Sequence, residues 1–220
     1  MKHTPQDIVD WIYAMLEAVD YLLDKRGCSY CAMDGTLLGA ERHGGLIPWD
    51  DDADLFMLKP EADSLLHNPE DFAQLGLGVA AWWYGYKVFP LAIAPQPNAA
   101  GVPVPYPSID LVTVEPQADR LILTSARARA LWPNEYLTAP EWQRRTRRRF
   151  GDITLTMPSA ADTPPILDRL YDADWGTVAY QIWDHTTDTA AATNRIPLPS
   201  IKPARRQHRL IDLPRDCSAK

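Results

Sequence analysis

Residues 34–54 read Asp34-Gly-Thr-Leu-Leu-Gly-Ala-Glu-Arg-His-Gly-Gly-Leu-Ile-Pro-Trp-Asp-Asp-Asp-Ala-Asp54, and four of the last five are aspartates. Polar and apolar residues then alternate, which predicts a strand over Asp52–Leu58 with Asp52 and Asp54 on one face. Carboxylates about 4 Å apart repel by roughly 4 kcal/mol at an effective dielectric constant of 20. A divalent cation would relieve that repulsion, and carboxylate oxygens suit Mg²⁺ or Mn²⁺. The segment therefore predicts a metal site, with a solvated acidic turn as the alternative.

A third carboxylate could come from a second strand-like segment, Ser108–Val114. Its alternation places Asp110 on the face opposite Ile109 and Leu111. An acid in a strand that otherwise packs into a core costs free energy unless it has a partner. We therefore expect Asp110 to join Asp52 and Asp54 at the metal, with an exposed position on an edge strand as the alternative.

The hydrophobic pattern predicts an α+β protein. Apolar residues from Ile8 to Leu23 recur at helical spacing, so we expect a helix over residues 5–26, capped by Thr4 and closed by Gly27. Strands are predicted over Ser29–Met33, Asp52–Leu58, Val79–Pro90, Ser108–Val114 and Arg148–Met157, and shorter helices over Thr36–Arg42, Asp63–Leu66, Asp71–Leu75, from Thr138, and over Thr163–Tyr171. The run 79–90 should lie beside Ser108–Val114 in one sheet. Residues 186–220 lose this periodicity, which predicts an extended or poorly ordered tail.

The length, composition and net charge limit the kinds of protein that this chain can be. With 220 residues, of which 46% are apolar and 23% charged, the chain can bury one sizeable core. Its net charge of −7 argues against nonspecific nucleic-acid binding. It has no apolar run of about 18 residues and no apolar signal-peptide core near its start. We therefore expect a cytoplasmic protein with no transmembrane segment and no nucleic-acid partner.

Together, these segments resemble the signature of the LicD/fukutin-like phosphotransferases, members of the nucleotidyltransferase superfamily. The resemblance is carried by DGTLLGAERHGGLIPWDDDADLFM from residue 34, YKVFP at 86–90, YPSIDLVTV at 106–114, LWPNEYL at 131–137 and RRFGDITLTMPSAADTPPILDRLYDADW at 148–175. It follows the family's order over residues 28–176. It implies a single domain over residues 1–185, with a nucleotidyltransferase-like mixed β-sheet flanked by helices.

The resemblance also implies roles for particular residues. Asp52, Asp54 and Asp110 would be the metal-binding and catalytic acids, and Gly35 and Thr36 would form the turn next to the donor phosphates. Members of this family transfer a phospho-alcohol, such as phosphocholine or ribitol phosphate, from a CDP-linked donor to a hydroxyl of a glycan or sugar alcohol, and release CMP. Such transfer depends on positioning and charge neutralisation, which metal-binding acids supply.

Three basic side chains are further candidates for the substrate site. Arg42 and Lys87 could add positive charge beside the departing phosphate, and Arg42 is better suited to bidentate contact. His43 could bind phosphate or donate a proton. The alternatives are an ion pair for Arg42 or Lys87 and a bond to loop backbone for His43.

Two departures from the family pattern leave other functions open. Asp34 stands where members commonly have glycine, and the segment Tyr171–Trp175 alters a motif near the end of the domain. A negative charge at residue 34 would be unfavourable beside phosphate unless it binds a metal or a basic residue. The alternatives are nucleotidyl transfer from an NTP and a catalytically inactive binding module of the same fold. A haloacid-dehalogenase-type phosphatase is excluded, because Ala32 occupies the position of its nucleophilic aspartate.

Overall fold

The computed structural model describes residues 1–97, 101–179, 183–184, 189–190 and 195–214. Its helices are α1 (Gln6–Lys25), α2 (Asp34–Arg42), α3 (Lys59–Leu66), α4 (Glu70–Ala73), α5 (Ala126–Leu131), α6 (Ala139–Gln143) and α7 (Thr163–Tyr171). Its strands are β1 (Tyr30–Met33), β2 (Asp52–Leu58), β3 (Leu77–Trp82), β4 (Gly85–Pro90), β5 (Gln96–Pro97), β6 (Pro103–Val104), β7 (Ser108–Gln117), β8 (Arg120–Leu123), β9 (Tyr136–Thr138), β10 (Thr146–Phe150), β11 (Ile153–Met157), β12 (Val178–Ala179), β13 (Trp183–Asp184), β14 (Thr189–Ala190) and β15 (Ile196–Pro197). None of the described helices combines the length and the apolar character that a transmembrane span requires.

One mixed sheet organises the described part of the chain. Its strands follow the order β1-β2-β7-β4-β3, and β8 and β9 extend it from the far end of β7. β2 and β7 are parallel, whereas their other neighbours pair antiparallel. The register places Asp54 beside Asp110 on one side and Lys87 beside Asp110 on the other. The predicted α+β fold with a mixed sheet flanked by helices is confirmed, and so is the pairing of residues 79–90 with Ser108–Val114.

The apolar face of α1 forms much of the core. Ile12, Leu16 and Val19 are completely buried, and the helix packs on β7 and β4. The predicted closure by Gly27 is confirmed, because this residue has a φ of +66°, which glycine adopts without strain. The predicted cap is wrong: Thr4 makes no bond to the helix, and its hydroxyl donates to the backbone oxygen of Asp50 at 2.7 Å.

Two segments predicted as single strands are antiparallel hairpins. Residues 77–90 turn at Trp83 and Tyr84 between β3 and β4, and residues 146–157 turn at Gly151 between β10 and β11. The aromatic pair at the centre of the first turn carries none of the usual turn signals, and Gly85, directly after the pair, is the residue beside it that favours turns. The second turn contains Gly151, whose φ of +61° is one that glycine adopts readily. Its sequence therefore indicates a turn more clearly than that of the first hairpin.

The described part of the C-terminal segment lies against the domain. Ala204 pairs with Leu46 as an isolated bridge, and its carbonyl accepts from the Tyr13 hydroxyl at 3.0 Å. The buried guanidinium of Arg206 pairs with Glu17 at 2.5 Å and with Asp152 at 2.8 Å. The tail predicted over residues 186–220 also includes residues 186–188, 191–194 and 215–220, which lie outside the described residues.

Gly85 is required by the close approach of β4 to the central strand. A Cβ atom on this residue would lie 2.1 Å from the carbonyl oxygen of Leu111 in β7, and the φ of Gly85 is +156°. Because backbone atoms cannot move aside cheaply, we expect Gly85→Ala to lower the free energy of unfolding by about 1–3 kcal/mol. Urea denaturation followed by tryptophan fluorescence measures this loss.

Gly176→Ala is the matched control. An added Cβ there meets no atom within 4 Å, so its free energy of unfolding should stay within about 0.5 kcal/mol of wild type. Equal stability of the two variants would contradict the proposed constraint at Gly85.

Candidate active site

A cavity of about 330 Å³ opens beside the amino-terminal ends of β2 and β7. Carboxylates dominate its polar lining: Asp34, Asp50, Asp51, Asp52, Asp54, Asp110 and Glu135. Among the described residues that line it, Arg42 supplies the positive charge. Like charges this close repel, so the cavity favours ligands that bring positive charge.

The sequence around Gly35 positions these acids. β1 runs directly into α2, and the Thr36 hydroxyl accepts a hydrogen bond from the backbone N–H of Asp54 at 2.8 Å, which ties α2 to β2. A Cβ atom at residue 35 would lie 2.7 Å from a carboxylate oxygen of Asp50. A side chain at residue 35 would therefore displace the Asp50 carboxylate from its present position. Gly35 lines the cavity, whereas Thr36 is buried behind it.

The three acids predicted from alternate strand positions come together. Asp52, Asp54 and Asp110 each offer an oxygen within 4.8 Å of the others, and Asp50, Asp51 and Asp52 form a second such group. Burial, then the neighbouring carboxylates, raise the pKa of both Asp52 and Asp54 well above the ordinary value. Such crowding is relieved by a cation, and all-oxygen donors suit a hard divalent ion. The acidic cluster could therefore bind a metal.

Lys87 lies behind Asp110 and is absent from the described cavity lining. Its ammonium donates to both Asp110 oxygens, at 2.7 and 2.9 Å, and to the Ser108 hydroxyl at 3.1 Å. Burial favours the neutral amine, but the carboxylates of Asp110, Asp52 and Asp54 together outweigh it, so the pKa of Lys87 is raised. The Tyr84 hydroxyl also donates to Asp110. Lys87 is thus a buried ion-pair partner of Asp110, and that carboxylate is held from two sides.

Arg42 and His43 lie at the carboxyl end of α2. Arg42 reaches the cavity and donates from Nη1 to the carbonyl oxygens of Trp175 and Val178, at 2.7 and 2.9 Å. His43 is buried, with Nε2 3.1 Å from the carbonyl oxygen of Ser200 and its ring edge against Trp49. Burial and the Arg42 charge lower the pKa of His43 to about 4. The ring is therefore neutral at pH 7 and contacts backbone and Trp49.

Several lining residues were not singled out from the sequence. Trp132 and Glu135 come from the segment after α5, and Tyr171 ends α7. They fall in segments that carry the family resemblance, but neither periodicity nor spacing indicates that they share a cavity with Asp34. The sequence marks Asp34 only as a departure from the family pattern. It is the first residue of α2, with a φ of +47°.

Part of the chain matches a known protein family. Residues 27–80 match the family model described as LicD/FKTN/FKRP, nucleotidyltransferase domain. The match includes the whole segment from Asp34 to Asp54 and the strand that carries Asp52.

Three curated proteins are similar in sequence to parts of this chain. An uncharacterized protein of Rickettsia prowazekii, RP689, is 26% identical over 148 residues, covering 67% of this chain and 50% of that protein. An uncharacterized protein of Rickettsia typhi, RT0683, is 37% identical over 65 residues, covering 30% of this chain and 21% of that protein. The lipopolysaccharide cholinephosphotransferase LicD of Haemophilus influenzae is 42% identical over 55 residues, covering 25% of this chain and 18% of that enzyme. The chain thus spans half of the first relative and about a fifth of the others. The family-model match over residues 27–80 and the segment shared with LicD confirm the predicted resemblance to the LicD family in this part of the chain.

Proposed function

We propose that this chain is a metal-dependent phosphotransferase. It moves a phospho-alcohol from a CDP-linked donor to a hydroxyl of a glycan or sugar alcohol and releases CMP. The convergence of Asp52, Asp54 and Asp110 at one cavity carries the proposal. The similarity to a lipopolysaccharide cholinephosphotransferase supports the reaction class, and the cavity volume lies in the range of small-molecule sites. We assign the activity to a domain over residues 1–185.

The donor set fits Mg²⁺ or Mn²⁺. Asp52, Asp54 and Asp110 would hold the ion, because one oxygen of each lies within 4.8 Å of the other two and a cation would relieve their mutual repulsion. When bound, such an ion neutralises phosphate charge and makes a hydroxyl easier to deprotonate.

The chain's own residues would orient the reacting groups. We assign to Asp110 the position nearest the attacking hydroxyl. Lys87 and Tyr84 fix the Asp110 carboxylate, and the Lys87 charge offsets part of the negative charge that an approaching phosphate meets. Gly35 would lie next to the donor phosphates at the amino end of α2, where the helix dipole favours anions, with Thr36 holding that end to β2.

Arg42 and His43 would support the phosphate side of the site. Arg42 is fixed by two carbonyl oxygens and adds positive charge at the cavity wall, which favours the departing phosphate. His43 packs against Trp49, a lining residue, and so supports that wall.

Removing one metal-binding acid should weaken cation binding. We expect Asp54→Asn to reduce Mn²⁺ affinity about tenfold or more, since even loss of a group that supports a ligand has an effect of that size. Isothermal titration calorimetry with MnCl₂ measures the change. Asp119→Asn is the control, because Asp119 is exposed and does not line the cavity. Equal affinity of the two variants for Mn²⁺ would exclude this metal site.

The reaction is tested by its products. With Mg²⁺ and a sugar-alcohol or oligosaccharide acceptor, CDP-linked donors should yield CMP, and Asp52→Asn should abolish it. CTP should yield no pyrophosphate. Chromatography of the nucleotides distinguishes the outcomes. Pyrophosphate from CTP would instead establish nucleotidyl transfer. If the wild-type chain binds CDP-linked donors but yields neither product with any acceptor, the chain is a binding module.

A further inference from the structure

One carboxylate of the cavity has an oxygen that nothing in the described structure satisfies. Asp34 Oδ1 is buried and has no hydrogen-bond partner among the described residues. Leaving a buried acceptor unpaired destabilises the folded protein, and the effect is larger when the acceptor is charged. Burial raises the pKa of Asp34 to about 7. Since this side chain lines the cavity, a ligand in the cavity can supply the missing donor.

A second carboxylate lies near Asp34. Glu135 lines the same cavity, and within the described ranges its side chain has no hydrogen bond or ion pair. Burial, followed by the charge of Asp34, raises the pKa of Glu135 well above the ordinary value. Neither residue belongs to the acid groups whose oxygens approach one another within 4.8 Å. The pair is therefore separate from the candidate metal ligands but shares their cavity.

The chemistry of the pair selects among possible ligands. A phosphate or carboxylate would be repelled. A polyol could donate hydrogen bonds, but it would bring no positive charge to stabilise the ionised carboxylates, which burial disfavours at both residues. A quaternary ammonium would compensate charge, yet it has no N–H to donate to Asp34 Oδ1. A protonated amine does both, and its charge-assisted bonds are the stronger kind.

We propose that Asp34 and Glu135 are specificity-determining residues that bind the protonated amino group of the transferred alcohol. The donor is then a CDP-linked amino alcohol such as 2-aminoethanol, and the site prefers it to choline and to alditols. Trp132 and Tyr171, which line the same cavity, would pack against its methylene groups. This inference rests on the proposed function.

Binding of the phospho-alcohols alone tests the subsite without the nucleotide. Isothermal titration of the full chain with Mg²⁺ should give phosphoethanolamine an affinity about tenfold or more above that of phosphocholine and ribitol 5-phosphate. In Asp34→Asn and in Glu135→Gln the preference should fall below about threefold. Asparagine tolerates the positive φ of residue 34, so the first variant retains the backbone. Glu115→Gln is the control, because Glu115 is exposed on β7 and pairs with Arg129 outside the described cavity lining.

Three outcomes would overturn the inference: equal affinities in the wild type, no binding of phosphoethanolamine, or a preference that persists in both variants. Thermal melts of each variant separate a lost subsite from a lost fold. A different result contradicts the proposed function: no CDP-linked donor yields CMP with any acceptor. The preference for phosphoethanolamine would still be measured in that case, because its titration needs neither nucleotide nor turnover.

Discussion

The parallel pairing of β2 with β7 is the constraint on which the site depends. It places Asp54 directly beside Asp110, with Asp52 two residues earlier on the same face. Adjacent carboxylates repel by a few kcal/mol at an effective dielectric constant of about 20, so the pairing is unfavourable at this point of the sheet. Lys87 reduces that cost from the other neighbour of β7, because its ammonium binds both oxygens of Asp110.

The rest of the fold holds this unfavourable pairing in place. The acids occupy the first residues of β2, and the apolar residues Leu55, Phe56 and Met57 that follow are completely buried. α1 packs on the same sheet with an apolar face, and Thr36 binds the backbone of Asp54. Apolar burial at about 25 cal/mol per Å² thus outweighs local repulsion. A cluster of acids can persist because the hydrophobic residues of the same strands fix its position.

The sequence predicts features that depend on local pattern and misses those that depend on register. The two-residue period of strands was sufficient to place Asp52 and Asp54 on one face. Asp110 could be identified as a candidate because it is an acid between apolar residues of a strand. The position of Lys87 could not be predicted, because it depends on the register of a hairpin whose central turn residues, Trp83 and Tyr84, are aromatic and do not favour turns. The position of Glu135 could not be predicted either, because the tertiary fold, and not a local pattern, brings this residue to the cavity.

The excess of carboxylates links ligand binding to stability. The described lining holds seven acids and one arginine, so the empty cavity carries a repulsion that folding must overcome. A metal ion or a cationic ligand binds the folded chain but finds no such arrangement of acids in the unfolded one, and so it stabilises the fold in proportion to its affinity. Asp34 increases both effects: its unpaired oxygen destabilises the free protein and strengthens the binding of any ligand that donates to it. A residue that is unfavourable for folding alone can be retained for that reason, because its cost is recovered when the ligand binds.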